Sequence, residues 1–161
     1  MAHNIWVISD THFGHENIIK YCNRPFKSLE EMHEYIIDKW NSVVKDGDKV
    51  YHLGDVYFSD KGKILHKLKG QKRLILGNHD DVKDNYTQKF FKKILMWRMF
   101  PEFGLLLTHV PVYDKIFNDK VRKNIHGHIH NNNYIVDERY KNVSVEVIDY
   151  TPINIEELRV K

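Results

Sequence analysis

The sequence predicts an α/β domain, and three features carry this prediction. Apolar runs of strand length at residues 5–9, 49–53 and 73–76 each end in polar residues. Segments with helical periodicity separate these runs, an order typical of parallel strands joined by right-handed crossovers. With 161 residues, the chain is long enough to bury a substantial core, and we expect residues 1–161 to form a single domain.

The first half of the chain also supplies the predicted helices. A short helix fits residues 16–21 and ends before Pro25, and Ser28 with Glu31 forms a capping box for a longer one. A third, shorter helix is predicted around residues 64–68. The longer helix repeats apolar residues at steps of three and four, which predicts one face packed on the sheet. The residues of this face are Met32, Tyr35, Ile36, Trp40 and Val43 or Val44.

The second half of the chain predicts another sheet. After a loop and a lysine-rich helix in residues 80–93, six strand-length pieces follow one another with short connections. They span residues 94–100, 104–108, 124–130, 134–136, 143–147 and 153–158. No repeat or low-complexity linker separates the two halves.

The composition narrows the class of protein. Twenty-five lysines and arginines against 22 acidic residues give a net charge of +3, too mild to argue for nucleic-acid binding. The single cysteine, Cys22, is predicted to be a free thiol in a reducing compartment. The chain lacks a signal-peptide pattern and the roughly 18 consecutive apolar residues of a membrane span. We therefore expect a cytoplasmic protein that makes no membrane contact.

Five groups of polar residues stand where predicted strands end. Each alone is compatible with an ordinary turn, cap or core histidine, but all five offer oxygen or nitrogen donors that suit divalent metals from manganese to zinc. In the last group, His128 and His130 are two apart in a predicted strand, so their side chains would project to one side. The groups are Asp10 with His12, Gly54 with Asp55, residues 77–80, Thr108 with His109, and residues 127–130.

Other histidines among the 11 in the chain receive simpler interpretations. His52 lies in a predicted central strand and is expected to be a hydrogen-bonded core residue. His33 is expected at the surface. In the predicted strand, His126 would point to the same side as His128 and His130. This favours a supporting role for His126 beside the metal ligands.

The ordered series of five motifs resembles the calcineurin-like metallophosphoesterase superfamily, and residues 9–18 are similar to a small group of bacterial and phage predicted phosphoesterases. The resemblance implies a four-layer α/β/β/α sandwich of two mixed sheets that carries two divalent metals. It implies that Asp55 bridges the metals, that His79 is a catalytic imidazole and not a ligand, and that Asp80 orients His79. The implied ligands are Asp10, His12 and His130 for the first metal, and Asn78, His109 and His128 for the second.

The implied function is a phosphoesterase that uses a water activated by two metals, with His79 assisting the reaction. The mixed ligand set suits manganese, iron, zinc, nickel or cobalt, and manganese is the first candidate. A small or nucleotide phosphodiester is the favoured substrate. Three alternatives stay open: a nuclease on DNA or RNA, a phosphomonoesterase, and a protein-interaction scaffold on the same fold. The mild charge and short chain argue against the nuclease, and the complete ligand set argues against the scaffold. The sequence leaves the oligomeric state open.

Substrate contacts are sought in the connection of residues 15–28, which begins beside a predicted metal ligand. Arg24 is the first choice because its planar guanidinium suits a phosphate or carboxylate. The alternative is that Arg24 pairs with a helix acid and that the connection only covers the core. The candidates are His15, Asn17, Tyr21, Asn23 and Arg24.

Overall fold

A computed structural model describes residues 2–132 and 134–161 and contains two mixed β-sheets. The first sheet has the strand order β4-β3-β2-β1-β9, in which β1 to β4 are parallel and β9 is antiparallel to β1. Its strands are β1 (Ile5–Ile8), β2 (Lys49–His52), β3 (Gln71–Ile75), β4 (Phe91–Leu95) and β9 (Ile153–Asn154). The three predicted strands of the first half are therefore central strands of one sheet.

The second sheet has the order β5-β6-β7-β8. Here β5 is antiparallel to β6, whereas β6, β7 and β8 are parallel. Its strands are β5 (Arg98–Phe100), β6 (Leu105–Leu107), β7 (Lys123–His126) and β8 (Tyr140–Asn142). The predicted α/β class with two mixed sheets is confirmed.

The main helix, α2 (Leu29–Val43), begins where the capping box predicts. The Ser28 hydroxyl accepts a hydrogen bond from the Glu31 N–H, which satisfies one of the free donors of the first turn. Its apolar face is buried at Met32, Ile36 and Trp40 and belongs to a core shared with the first sheet. The other helices are α1 (Ile18–Tyr21), α3 (Asn85–Phe90) and α4 (Ile155–Leu158), with 3-10 turns at Lys61–Lys67, Asp114–Ile116 and Val145–Val147.

A second core lies between the two sheets. Val7 and Leu53 face it from the first sheet, and Leu107 and Ile125 face it from the second. The segment that follows β6 lies against the second sheet, where the Val112 N–H donates to Asn124 Oδ1 at 3.1 Å. Between β5 and β8 the described residues include the 3-10 turn Asp114–Ile116 and no α-helix.

Several strands predicted in the second half are shorter or absent. The piece at 94–100 divides into β4 and β5, and the piece at 143–147 holds a 3-10 turn. The piece at 153–158 becomes β9 followed by α4, because the Asn154 side chain accepts a hydrogen bond from the Glu156 N–H and caps a helix. Within the described part of 134–136, no strand forms. None of the described helices is long and apolar enough to cross a membrane.

His52 is fully buried and hydrogen-bonded, as predicted for a core residue. Its Nε2–H donates to the Thr11 hydroxyl, whose own proton goes to the Val56 carbonyl, and its Nδ1 accepts from the Gly54 N–H. This arrangement requires a neutral ring. Burial accordingly lowers the pKa of His52 from 6.5 to about 3.

This shift predicts acid sensitivity. Between pH 6.5 and about pH 3, His52 is protonated in the unfolded chain but neutral in the folded chain. The free energy of unfolding therefore falls as the pH falls through this range. For the metal-free protein we expect His52 to account for a loss of roughly 2–3 kcal/mol between about pH 7 and about pH 4.5. The variant His52→Gln keeps a donor near the Nε2 position but cannot titrate, so urea unfolding should show a shallower pH slope. Equal slopes in the two proteins would contradict this assignment.

Candidate metal centre

The predicted ligands come together because the strands that precede them end at one edge of the molecule. The loop after β1 is joined to the loop after β2 by hydrogen bonds from the Asp10 N–H to the Gly54 carbonyl at 3.0 Å and from the His12 N–H to the Asp55 carbonyl at 3.1 Å. In the second sheet, the Gly127 N–H donates to the His109 carbonyl at 2.8 Å. The backbone therefore fixes the ligand-bearing loops directly against one another.

The backbone at the predicted ligands is unusual. Five of the nine described non-glycine residues with positive φ are predicted ligands. Such a conformation is uncommon for residues with a side chain, and it concentrates where function constrains the chain. The residues are Asp10 (60°), His12 (52°), Asp55 (57°), His128 (70°) and His130 (50°).

The prediction that His128 and His130 lie in a strand is wrong. Strand β7 ends at His126, and both histidines follow it in left-handed conformations. A β-carbon at Gly127 would collide with the Asp10 carboxylate and the Ser9 side chain. Glycine is therefore required at residue 127 for the close approach of the two loops.

The first group of donors comprises Asp10, His12 and His130, whose ligand atoms all lie within 4.8 Å of one another. Asp10 Oδ1 is 3.6 Å from His12 Nε2 and 3.7 Å from His130 Nε2. Within the part of the chain that the structure describes, Asp10 Oδ1 and His12 Nε2 are buried without a hydrogen-bond partner. Buried polar atoms left unsatisfied in this way are costly, and a cation coordinated between them would remove the cost.

The second group comprises Asp55, His109 and His128, with Asn78 beside them. Asn78 Oδ1 lies 2.9 Å from His109 Nε2 and 3.1 Å from His128 Nδ1. Asp55 Oδ2 lies 3.4 Å from His109 Nε2 and also 3.6 Å from His12 Nε2 of the first group. One carboxylate oxygen thus faces both groups, at the position predicted for a bridging ligand.

In three of the predicted histidine ligands, Nδ1 makes a contact outside the donor group, which turns Nε2 toward the donor group. His109 Nδ1–H donates to the Leu53 carbonyl at 2.7 Å, and His130 Nδ1–H donates to Glu146 Oε1 at 2.9 Å. His12 Nδ1 is 3.0 Å from His15 Nδ1. In each ring Nε2 is left to the metal site, the arrangement usual for metal-binding histidines.

The two carboxylates are suited to a cation. Burial alone would raise the pKa of Asp10, but its contact with His12, the nearby His109 and His130, and the hydrogen bond from Ser9 hold that pKa below its ordinary value. Burial would also raise the pKa of Asp55, but hydrogen bonds with His109, His12 and the His79 N–H outweigh it and lower that pKa strongly. Both side chains are therefore ionised at neutral pH. Together with imidazole and amide donors, they form a set that fits transition-metal ions better than magnesium or calcium.

His79 lies beside the first group without belonging to either. Its ring centroid is 6.0 Å from that of His12, its side chain is exposed, and its N–H donates to Asp55 Oδ1 at 2.9 Å. The predicted role of Asp80 is not what the structure shows. Its carboxylate accepts hydrogen bonds from the backbone N–H groups of Asp55, Val56 and Gly77, so it joins the loops after β2 and β3 and does not orient the His79 ring.

The prediction that Arg24 contacts substrate is also corrected. Its side chain is only 4% exposed. Its guanidinium donates to the carbonyls of Asp10 at 2.8 Å and Thr11 at 2.9 Å and to Glu146 Oε2 at 3.1 Å. The arginine does pair with an acid, but that acid lies in the 3-10 turn Val145–Val147 and not in a helix. Arg24 therefore supports, from inside, the loop that carries the predicted ligands Asp10 and His12.

The other predicted substrate contacts remain at the surface beside the site. His15 is partly exposed and bonded to His12, and the Tyr21 ring, 73% exposed, is centred 6.1 Å from the His15 ring. Asn17 and Asn23 are exposed. His126 is buried, with Nδ1 bonded to the Gly127 carbonyl, and so lies next to the ligand loop. His33, expected at the surface, is partly buried and accepts the Gly14 N–H at 2.8 Å.

Glu146 is a candidate functional residue that the sequence did not predict. It connects His130 with Arg24, and the described donors Cys22, His130 and Glu146 also converge. The sequence contains one signal, an acidic residue between Val145 and Val147 in a run otherwise read as a strand. That pattern alone does not reveal its partner, because Arg24 lies 122 residues earlier.

We predict that Glu146→Gln weakens metal binding at the first group by roughly 10- to 100-fold. The amide preserves the shape of the side chain but weakens the hydrogen bond that orients His130. Calorimetric titration of the metal-free protein with Mn²⁺ would resolve the two sites, and affinity at the second should be unchanged. The matched control is the exposed Glu157→Gln. Equal weakening at both sites would instead indicate a general loss of structure.

Comparison with known proteins agrees with this geometry. Residues 4–146 match the family model for the calcineurin-like phosphoesterase superfamily domain. An alignment of 165 residues, covering 94% of this chain and 87% of the relative, shows 42% identity to an uncharacterized protein of Methanocaldococcus jannaschii. The Gene 66 protein of Mycobacterium phage L5 is 42% identical over 83 residues, and this match covers 48% of the chain and 40% of the phage protein.

Among solved structures, a protein of unknown function from Aquifex aeolicus superposes with a TM-score of 0.79 at 33% identity. The match covers 98% of both chains, so the fold is shared over essentially its whole length. The family match extends over every predicted metal ligand. On these grounds, the chain belongs to the calcineurin-like phosphoesterase superfamily.

Proposed function

We propose that this protein hydrolyses phosphate esters with two divalent transition-metal ions, for which manganese is the first candidate. The observation that carries the proposal is the pair of adjacent donor groups that share Asp55 Oδ2. Asp10, His12 and His130 would hold one ion and Asn78, His109 and His128 the other. The unsatisfied donors of the first group support the assignment.

The charge of the loaded site would favour a phosphate ester. Two divalent ions bring four positive charges, and Asp10 and Asp55 are the two anionic residues among the proposed ligands. An excess of two positive charges is therefore left for substrate. When bound, the metals would supply charge to phosphoryl oxygens and lower the pKa of the attacking water.

The chain itself contributes a proton donor. His79 is exposed next to the first donor group, and its backbone is fixed by the hydrogen bond to Asp55. As an imidazolium, it would stabilise the phosphoryl group or protonate the leaving oxygen. A nucleophilic side chain is not required, because water attacks phosphorus directly.

A small or nucleotide phosphodiester is the substrate we favour. The net charge of +3 supports a small substrate over a polynucleotide, whose binding depends on many phosphate contacts. Nuclease action and phosphomonoester hydrolysis are the alternatives within the family. A protein-interaction scaffold is the alternative of another class, and the complete donor set argues against it.

The test is a substrate survey on protein stripped of metal and then loaded with manganese, nickel or zinc. Aryl monoesters, aryl diesters, cyclic nucleotides and DNA would each be offered. We expect metal-dependent hydrolysis with a preference for diesters. The Asp10→Asn variant is assayed in parallel, and any activity that it retains in full would come from a contaminating enzyme. Preference for DNA or for monoesters would select those alternatives. A protein that binds no metal and cleaves none of these esters would overturn the proposal.

A further inference from the structure

A cavity of about 780 Å³ opens beside the second donor group. Asn78 and His109 form part of its wall, so the cavity is continuous with the proposed metal site. The residues after β3, the β4–β5 connection and the segment after β6 enclose it. Its size lies within the range of small-molecule binding sites, on the order of 300–1,000 Å³.

The cavity exists because of two features of the fold. The β4–β5 connection, which passes from the first sheet to the second, consists of Met96 and Trp97. The segment after β6, which contains the 3-10 turn Asp114–Ile116, lies on the other side and contributes Val112 and Ile116 to the wall. An opening is therefore left between the connection and this segment.

The wall of the cavity is predominantly apolar. At its rim Met96 is 70% exposed and Trp97 is 57% exposed. Large apolar side chains that remain exposed around a concavity are typical of a binding site. Apolar members of the wall include Leu76, Met96, Trp97, Met99, Leu106 and Ile116.

The described wall of the cavity lacks the lysine and arginine side chains that an anionic occupant would pair with. None of the described residues that line the cavity is lysine or arginine, and the acidic ones are Asp80 and Asp81. Asp80 is already bonded to three backbone N–H groups, and Asp81 accepts a hydrogen bond from the Lys83 N–H. A second phosphate or a polynucleotide backbone would find no cationic partner there.

We propose that this cavity binds an uncharged aromatic substituent of the phosphate ester while the phosphoryl group lies at the metal site. The indole of Trp97 offers a flat face, and the thioethers of Met96 and Met99 pack well against aromatic rings. This inference rests on the proposed function and narrows its substrate class to esters that carry an aromatic or heteroaromatic group. It also disfavours the nuclease.

The test compares two phosphonates that have the same anionic head and are not hydrolysed. Calorimetry on the manganese-loaded protein would measure the binding of methylphosphonate and of 1-naphthylphosphonate. We expect the naphthyl compound to bind at least about tenfold more tightly, because its ring is transferred from water to the cavity. Trp97→Ala and Ile116→Asp should each reduce this preference to less than about threefold and leave methylphosphonate binding unchanged.

The matched control is Tyr113→Ala, which truncates an aromatic residue that is 74% exposed and lies outside the cavity wall. It should keep the full preference. If methylphosphonate binds and the naphthyl group adds nothing, the cavity assignment is overturned while the phosphoesterase function stands. If neither phosphonate binds and no ester is cleaved, the proposed function itself fails and the assignment fails with it. A wild-type preference that survives both cavity variants would place the aromatic group elsewhere.

Discussion

Replacing Asp55 by asparagine is expected to impair binding of both metals and to lower kcat/KM by on the order of 10³-fold or more. The reason is that Asp55 Oδ2 faces the first and the second donor group at once, 3.6 Å from His12 Nε2 and 3.4 Å from His109 Nε2. Asparagine keeps the shape but loses the negative charge, and its NH₂ group cannot coordinate a metal.

Metal content after dialysis, measured together with phosphoester hydrolysis, checks this expectation. The matched control is Asp38→Asn, which neutralises an exposed carboxylate on α2. That control should retain both metals and full turnover. Retention of two metal ions by the Asp55→Asn protein would show that Asp55 is not the shared ligand.

Replacing His79 by alanine is expected to lower turnover by on the order of 10²- to 10⁴-fold while metal content stays unchanged. The side chain lies near the first donor group but outside both, so its removal takes away a proton donor and no ligand. The loss should be largest for substrates with a poor, alkoxide leaving group and smaller for nitrophenyl esters, whose leaving oxygen needs no proton.

Turnover on one substrate of each kind separates the roles that His79 could have. His66→Ala, at an exposed histidine remote in sequence from the donor groups, serves as the control. Full turnover of the His79→Ala protein with an alkoxide leaving group would refute the acid role. Loss of a metal would instead make His79 a ligand.

Strands β1, β2 and β3 were predictable because apolar runs that end in polar residues are a strong signal for buried parallel strands. Strands β4 and β9 of the same sheet were not, because β4 begins within the predicted lysine-rich helix and β9 was assigned to the second sheet. The second half was less predictable because short apolar pieces do not reveal whether they continue as strands. In the run at 153–158, the deciding interaction is a helix cap formed by the Asn154 side chain.

The convergence of the predicted metal ligands could be anticipated from strand ends and motif order, whereas the contacts that support these residues could not. Asp80 was expected to orient its neighbour but bonds to backbone N–H groups of two loops. Arg24 is the first candidate for a substrate contact, but its side chain reaches inward to Glu146. The contact of Asp80 with the Asp55 N–H and that of Arg24 with Glu146 join residues 25 and 122 positions apart, and spacing along the sequence carries no information about such pairs.

The most direct test of the account is a titration of metal-free protein with Mn²⁺, in which bound metal and phosphoester hydrolysis are followed in the same samples. We predict no hydrolysis without metal and full activity only when two ions are bound per chain. Hydrolysis that persists after complete chelation, or that reaches its maximum with a single bound ion, would contradict it.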